Sequence, residues 1–378
     1  MLRGFKIRIF PTDEQEHLLW KHVNSSRFIY NYMLELQNKR HENGESQLSE
    51  FGMKAIVPDV VSENEWLKEI SSMSLRNTCR DLANNFQRFF NRKAGKPKFK
   101  SKKRSKKSFP VRSDRMYFNE KYVQIEKVGK IKYKTDLCIS KGNHACKFIG
   151  SRITFKNDKW FLTFSIEREN QAADLNDYCM GIDLGIKELA VVAYDDKNLV
   201  FHNINKSHRI KTLERKLKII QHKISHKYEK NKRGCIFIKT RNIERLEIKV
   251  RYLYERITNI RENYIHQTTS SLVKLKPKRV TMETLNVKNL MKNKHLSNAF
   301  FKQKLAEFIR QMRYKCENYG IEFVQVDRFY PSSKTCSCCG NIKKILKLSE
   351  RTYSCDVCGL SIDRDLNAAI NLMRYNVQ

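Results

Sequence analysis

The sequence predicts a multidomain α+β protein of 378 residues, and three observations support that prediction. The first half reads as a strand, then helices, then more strands, which is typical of helices inserted into a small β domain. The second half alternates strands with helices, as an α/β layer does. Five of the eleven cysteines crowd together shortly before the end of the chain. At about 150 residues per domain, two or three domains are expected.

Composition points to a polyanionic partner inside the cell. Lys and Arg number 75 against 40 Asp and Glu, which gives a formal net charge of +35, and a polyanion is the partner that such a charge favours. No apolar stretch approaches the roughly 18 residues of a membrane-spanning helix, and the N-terminus shows no secretory signal. We therefore expect an intracellular protein without membrane contact, in which clustered cysteines bind metal and do not form disulfides.

The first elements are predicted from apolar spacing and capping residues. Apolar residues alternate with basic ones over residues 5–9, which predicts a half-buried strand that Pro11 ends. Thr12 and Gln15 have the spacing of a capping box, so a helix is expected from there to about residue 42. An apolar stripe over residues 75–90 predicts a second helix that packs in the core.

The middle of the chain contains a basic loop and a hairpin. Residues 92–115 carry twelve Lys or Arg and one acid, with prolines and aromatics among them, and they predict a loop. Over residues 151–167, apolar residues alternate with others on both sides of a turn at 157–158, which predicts a β-hairpin. This order of elements indicates that the helices interrupt the β domain.

The second half begins with two short apolar strands, over residues 178–183 and 189–194, with Gly185 in the turn between them. Residues 205–261 read as helical and contain 18 basic residues against 5 acids. Further along, a strand, a helix and a strand are expected over residues 279–283, 296–318 and 323–326. Strands alternating with helices indicate an α/β architecture.

The cysteine spacing predicts a zinc site. Cys336 and Cys339 are two residues apart, as are Cys355 and Cys358, with fifteen residues between the pairs. This is the spacing of a four-thiolate zinc knuckle or ribbon. Cys338 does not fit the two-residue gap and is interpreted as a bystander. Because four protein ligands leave no open position, the predicted zinc is structural.

Three acids stand where a carboxylate is unexpected. Asp183 and Glu283 end apolar strands, and Asp365 opens the final helix. Burial of an acid is unfavourable unless a cation compensates it, but a turn or edge position, or the dipole of the helix, explains each acid equally well when taken singly. His222 and His226 are four residues apart and could bind a metal, although a solvated helix face is the better interpretation.

The basic loop has two interpretations. It could be a solubilising or localisation-like run, but its flanking aromatics and the total charge favour contact with phosphates. The predicted nucleic-acid contacts in the loop are Lys98, Lys100, Lys102, Lys103 and Arg104.

Several motifs together resemble the TnpB family of transposon-encoded, RNA-guided nucleases. Around the three acids and the cysteines these motifs are GIDLG (181–185), ETLNV (283–287) and DRDLNAA (363–369). Four further motifs extend the resemblance over nearly the whole chain: KIRIFP (6–11), SRFIYN (26–31), PKFKS (97–101) and FYPSSK (329–334).

The resemblance implies four structural parts. A wedge-type β-barrel domain would comprise residues 1–12 and 92–175, and a helical recognition bundle would be inserted at 13–91. A RuvC-like nuclease domain of the RNase H fold would comprise residues 176–330 and 362–378. A four-cysteine zinc-binding insertion would occupy residues 331–361.

The resemblance also implies an activity and a set of ligands. It implies cleavage of double-stranded DNA, directed by a guide RNA from the transposon end (omega RNA), next to a short transposon-associated motif. Asp183, Glu283 and Asp365 would hold two Mg²⁺ or Mn²⁺ ions, with Asp365 preferred to Asp363, and one Zn²⁺ would be structural. Arg27, in one of the matching motifs, joins the predicted nucleic-acid contacts. A monomer with its RNA in the cytoplasm of a prokaryotic host, associated with the nucleoid, is expected.

Two alternatives from other classes remain. A nuclease-inactive, RNA-guided DNA-binding repressor would lose acids of the trio, whereas all three are present here. A transposase that joins DNA strands on the same fold usually has its acids in the order Asp, Asp, Glu, and here the order is Asp, Glu, Asp.

Overall fold

The computed structural model describes residues 2–134, 147–167, 173–286, 290–347 and 350–375. The chain forms two compact units, Met1–Glu169 and Asn170–Gln378. Among the described residues, no helix combines the length and the apolar character needed to cross a membrane. Residue 287, the last of the ETLNV motif, lies outside the described residues.

The first unit combines one sheet with three α-helices. Its strands are β1 (Leu2–Phe10), β2 (Lys107–Pro110), β3 (Tyr117–Phe118), β4 (Tyr122–Ile125), β5 (Gly129–Tyr133), β6 (Phe148–Lys156) and β7 (Lys159–Glu167). Its helices are α1 (Asp13–Glu42), α2 (Glu50–Glu63) and α3 (Ser72–Phe90), with a 3-10 helix at Glu65–Glu69.

The sheet of the first unit is antiparallel and open. Its strand order is β2-β6-β7-β1-β5-β4-β3, and the hairpin β6–β7 turns at Asn157 and Asp158, both with positive φ, as the sequence predicted. The expected closed barrel is not seen in the described residues. Closure needs hydrogen bonds between the two edge strands, but β2 pairs with β6 and the two-residue β3 pairs with β4.

The helices of the first unit follow from capping and apolar spacing. Both hydrogen bonds of the predicted capping box join Thr12 and Gln15, and α1 begins at the next residue after Thr12. Leu75, Cys79 and Leu82 of α3 are buried against α1 and α2, whereas Phe90, at the end of the predicted stripe, is exposed.

The second unit combines a five-stranded sheet with helices and two small two-stranded sheets. Its strands are β8 (Asn176–Leu184), β9 (Glu188–Tyr194), β10 (Lys197–His202), β11 (Lys232–Arg233), β12 (Ile236–Phe237), β13 (Pro277–Glu283), β14 (Glu322–Val326), β15 (Thr352–Ser354) and β16 (Ser361–Asp363). Its helices are α4 (His208–Lys230), α5 (Arg241–Lys274), α6 (Ser297–Gln303), α7 (Leu305–Tyr319) and α8 (Arg364–Met373), with a 3-10 helix at Ile204–Lys206.

The central sheet has the order β10-β9-β8-β13-β14. The first three strands are antiparallel neighbours, while β13 runs parallel to both β8 and β14. Its two faces are covered differently. Met180 and Ile182 pack in a core with residues of α5 and α7, and α8 covers the opposite face through contacts such as that of Ala369 with Val191.

Two predicted helices are interrupted. The basic stretch 205–261 contains a short hairpin, β11–β12, which turns at Gly234 with φ 55°. The helix expected over 296–318 breaks at Lys304, whose φ of 54° lies in the left-handed region that ends a right-handed helix. The loop predicted for 92–115 also contains a strand, β2.

Candidate active site and metal centre

Two of the three predicted acids lie side by side where two neighbouring inner strands of the central sheet end; we call this place the acid edge. In the parallel pair formed by β8 and β13, Met282 stands opposite Ile182. Asp183 and Glu283 are the next residues on these strands. Because residues in register on parallel strands point to the same face, both side chains project from the same side. The sheet therefore brings these two acids together.

The third acid reaches the same edge because α8 packs on β8 without side chains between the two backbones. A Cβ atom on Gly181 would lie 2.0 Å from the carbonyl oxygen of Ala369 and 2.3 Å from the amide nitrogen of Met373. Gly181 and Asp183 are two residues apart on a strand and so share a face, while Asp365 lies one helical turn before Ala369. The contact thus carries the first turn of α8 to the strand ends.

The three carboxylates interact electrostatically. Burial raises the pKa of Asp183 well above its usual value, and the neighbouring Glu283 and then Asp365 raise it further, while Arg364 acts in the opposite direction. All three acids keep part of their surface exposed. A carboxylate whose ionisation is opposed by burial and by two neighbouring acids is suited to bind a hard divalent cation, because such cations prefer carboxylate oxygens.

Asp363 has a different role from Asp365. Its carboxylate is the N-cap of α8 and accepts hydrogen bonds from the backbone N–H groups of Asp365, at 2.9 Å, and Leu366, at 3.1 Å. An N-cap acid satisfies amides that the helix leaves unpaired. The structure therefore accounts for Asp363 by helix capping.

The four predicted cysteines converge. The sulfurs of Cys336 and Cys358 are 3.6 Å apart, as are those of Cys339 and Cys355, and all four lie within 4.8 Å of one another. Four sulfurs at about 2.3 Å from a tetrahedral zinc ion would be about 3.8 Å apart. Backbone N–H groups of Cys358 and Val357 lower the pKa of Cys355 to about 6. A backbone hydrogen bond at Leu360 lowers the pKa of Cys358, but burial and the neighbouring cysteines outweigh it and raise that pKa to about 12.

The two cysteine pairs have the same backbone construction. Gly340 and Gly359 each follow the second cysteine of a pair, with φ of 76° and 74°. Their N–H groups donate to the carbonyls of Cys336 and Cys355, respectively. Glycine allows this left-handed conformation at little strain. Cys338 is exposed and lies outside the four-sulfur group.

Among the described residues, no other three His, Cys, Asp or Glu side chains bring their ligand atoms within 4.8 Å of one another. His222 and His226 lie on the exposed side of α4, without a third ligand at that distance. The three acids are spread more widely than the cysteines, over two strands and a helix.

A basic cavity lies in the first unit between α1 and the loop before β2. Its volume is about 370 Å³. As far as the structure describes it, its lining contains no acid, and its basic members are Arg27, Lys100, Lys102, Lys106 and Lys107. Trp20 forms an aromatic part of the wall. A basic lining without acids favours a phosphate group.

Of the six basic residues predicted to contact nucleic acid, three line the cavity, namely Arg27, Lys100 and Lys102. Lys98, Lys103 and Arg104 are exposed outside the cavity lining. Lys100 instead packs its ammonium 3.6 Å from the centre of the Tyr30 ring, and burial lowers its pKa to about 8. The side chain of Asn31 holds the backbone of Lys100: its oxygen accepts from the Lys100 N–H, and its amide donates to the Lys100 carbonyl.

Sequence reasoning missed three buried polar residues near the acids: Ser332, Asn367 and Asn371. A signal for the asparagines was available, because two amides four residues apart on one face, among the apolar residues of 366–373, need partners. Ser332 lies in the FYPSSK motif (329–334), but nothing in that motif indicated a contact with an acid.

Three family models match separate parts of this chain. A "Helix-turn-helix domain" model of the IS605 OrfB group matches residues 1–46, and a "Probable transposase" model of the same group matches residues 163–294. A "Cas12f1-like, TNB domain" model matches residues 306–372, which contain the four cysteines and Asp365.

Curated relatives match along almost the entire chain. A protein of Streptomyces pristinaespiralis named as an RNA-guided DNA endonuclease is 29% identical and covers 98% of this chain and 88% of the relative. InsQ of Escherichia coli K12, also so named, is 24% identical, with 98% and 92% covered. TnpB-like protein L79 of Acanthamoeba polyphaga mimivirus is 24% identical, with 99% and 73% covered.

The α+β architecture and the four-cysteine site agree with the similarity of this chain to the IS605 OrfB and TNB models. The chain is TnpB-like.

Proposed function

We propose that the chain is an RNA-guided DNA endonuclease that hydrolyses double-stranded DNA at Asp183, Glu283 and Asp365. The observation that carries the proposal is the meeting of these acids at one sheet edge, through strand register and the packing of α8 on Gly181. Relatives that match along the whole chain are named for this activity.

The strand order of the second unit supports a RuvC-like domain of the RNase H fold. Three antiparallel strands lie beside two parallel ones, with Asp183 near the end of β8 and Glu283 at the end of β13. This agrees with the expectation for residues 176–330 and 362–378. We assign residues 1–12 and 92–175 to a wedge-type domain and 13–91 to the recognition bundle.

The donor set of the acid edge fits two Mg²⁺ or Mn²⁺ ions. Asp183, Glu283 and Asp365 would hold them, since carboxylate oxygens are the ligands these ions prefer. When bound, such ions activate a water for attack on phosphorus and stabilise the leaving oxygen. The chain's own residues fix the geometry: the strands orient two carboxylates, and Arg364 Nε lies 3.6 Å from Asp365 Oδ1.

One structural zinc ion would be held by Cys336, Cys339, Cys355 and Cys358. The sulfur distances and the paired glycine turns fit a closed tetrahedral site with no position left for substrate. Its contribution would be to fold the insertion 331–361.

The basic cavity supports contact with nucleic acid. Phosphate contacts from residues such as Arg27 and Lys102 would position a guide RNA or its DNA target without reading sequence. In RNA-guided nucleases base pairing reads the target, while the protein reads a short adjacent motif. The expected partners are therefore an omega-type guide RNA and double-stranded DNA, bound by one copy of the chain.

The RNA that copurifies with the full chain tests this proposal. We expect sequencing to find one structured RNA whose 3′ end varies, as a guide segment would. Nucleic-acid-free protein, or a random sample of host RNA, would contradict RNA guidance and leave a nuclease of another kind.

A further inference from the structure

A buried serine contacts one of the three acids. The hydroxyl of Ser332 donates a hydrogen bond to Oε1 of Glu283, and Ser332 is 2% exposed. It lies in the segment that leads from β14 to the first cysteine pair. A carboxylate at a strand end can rotate about its side-chain torsions, and a hydrogen bond to one oxygen restricts that rotation.

Ser332 is itself held by the helix that carries Asp365. The side-chain amide of Asn371 donates to the carbonyl of Ser332 and to that of Thr335, both at 2.7 Å. Asn371 is buried, and a buried amide with satisfied donors fixes the backbone it contacts. Ser332 therefore has a defined backbone position relative to α8.

A second side-chain amide of α8 fixes the backbone around Cys336, at the start of the four-cysteine segment 331–361. Asn367, one turn before Asn371, donates to the carbonyl of Thr335 at 2.7 Å and accepts from the N–H of Ser337 at 3.0 Å. Cys336 lies between these two contacts. The helix α8 thus carries Asp365 and also holds two other segments. These are the backbone of Ser332, which donates to Glu283, and the residues on either side of Cys336.

We infer that Ser332 is a positioning residue for Glu283, and that α8 holds it there through Asn371. This inference rests on the proposed function, because it concerns how a proposed metal-binding carboxylate is oriented. Groups that hydrogen-bond to metal ligands typically change metal affinity or activity about 10–100-fold when removed. Loss of the Ser332 hydroxyl should have an effect in that range.

The test measures Mn²⁺ binding to the full, RNA-free, zinc-loaded chain by the paramagnetic signal of free Mn²⁺. Asp183→Ala defines binding elsewhere on the chain, and its difference from wild type is the binding at the acid edge. We expect Ser332→Ala to weaken that binding about 10–100-fold, with one zinc per chain and the melting temperature retained. Ser332→Thr should restore most of the affinity and Ser332→Val, of nearly the same shape, should not.

The matched control is Ser354→Ala, which removes an exposed serine from the same four-cysteine segment, 331–361. This variant should bind Mn²⁺ as wild type does. Wild-type affinity in Ser332→Ala, or equal affinity in the Thr and Val variants, would overturn the inference and leave the proposed function intact. Loss of zinc or folding in Ser332→Ala would also overturn it, because the hydroxyl would then support the fold. Equal binding by wild type and Asp183→Ala would instead refute the proposed acid site.

Discussion

The carbonyl oxygen of Ala369 lies 2.0 Å from the position that a Cβ atom would take on Gly181. No side chain fits between this strand and this helix. The contact matters for function because Asp183 is two residues beyond Gly181 and Asp365 is one turn before Ala369, so the spacing of the two acids depends on it.

Gly181→Ala should therefore separate α8 from β8. The new methyl group meets backbone atoms of Ala369, Leu372 and Met373, which cannot move aside as a side chain could, and we expect a loss of about 3 kcal/mol in the free energy of unfolding. Urea denaturation measures it. Gly4→Ala is the control, since a Cβ there lies 3.9 Å from its nearest neighbour. Equal stabilities of the two variants would contradict the close packing.

Removal of any one acid should abolish DNA cleavage and leave RNA binding intact. Asp183→Ala, Glu283→Ala and Asp365→Ala remove proposed metal ligands and not nucleic-acid contacts. Gel assays of cleavage beside RNA affinity measurements separate the two effects.

Asp363→Ala is the matched control for Asp365→Ala, because it removes a carboxylate of the same helix turn. We expect it to cleave DNA and to lose about 1 kcal/mol of stability from the missing cap. Loss of cleavage at Asp363 with activity retained at Asp365 would reverse the two assignments.

Zinc should be present at one ion per chain. Cys336→Ser or Cys355→Ser should lose it and unfold the insertion, because a closed thiolate site contributes directly to folding energy. Cys338→Ser, whose sulfur lies outside the group, should keep the full complement. Elemental analysis with protease digestion measures both effects, and zinc loss in Cys338→Ser would contradict the ligand set.

The cavity makes a prediction about salt dependence. The triple variant Arg27→Gln, Lys102→Gln and Lys106→Gln should weaken RNA binding and lower its log–log salt slope by about two, at roughly 0.7 per phosphate contact with a single strand. The change should not depend on guide sequence. Lys39→Gln with Lys68→Gln is the charge control, since each of these lysines pairs with a neighbouring Glu. An unchanged slope in the triple variant would remove the cavity from the nucleic-acid interface.

Local patterns predicted the elements that are decided by local chemistry. The capping box at Thr12 and the hairpin at 157–158 lie where the sequence placed them, because turn and cap residues act on their neighbours. The break at Lys304 could not be predicted, since neither Gly nor Pro marks it. The short strands β3, β4 and β5 form local hairpins but have only 2, 4 and 5 residues, too few for a clear alternation. Strand β2 was missed because it pairs with the distant β6.

The sequence singled out the acids and the cysteines because they lie in motifs. The cysteines converge as predicted, while the role of the acids stays a prediction. The way in which the acids come together could not be predicted, since it depends on strand register and on the approach of α8 to Gly181. Ser332 contacts Glu283 across 49 residues of sequence, and no periodicity encodes such a contact.

The central claim is tested most directly by changing the guide. The full chain is reconstituted with its copurifying RNA, whose variable 3′ segment is replaced by a chosen sequence, and is given plasmids that contain or lack the matching site beside a randomised flanking segment. We predict Mg²⁺-dependent double-strand cleavage of the matching plasmid alone, for a subset of flanks, and none with Asp183→Ala. Cleavage that ignores the guide sequence, or that persists in Asp183→Ala, would contradict the account.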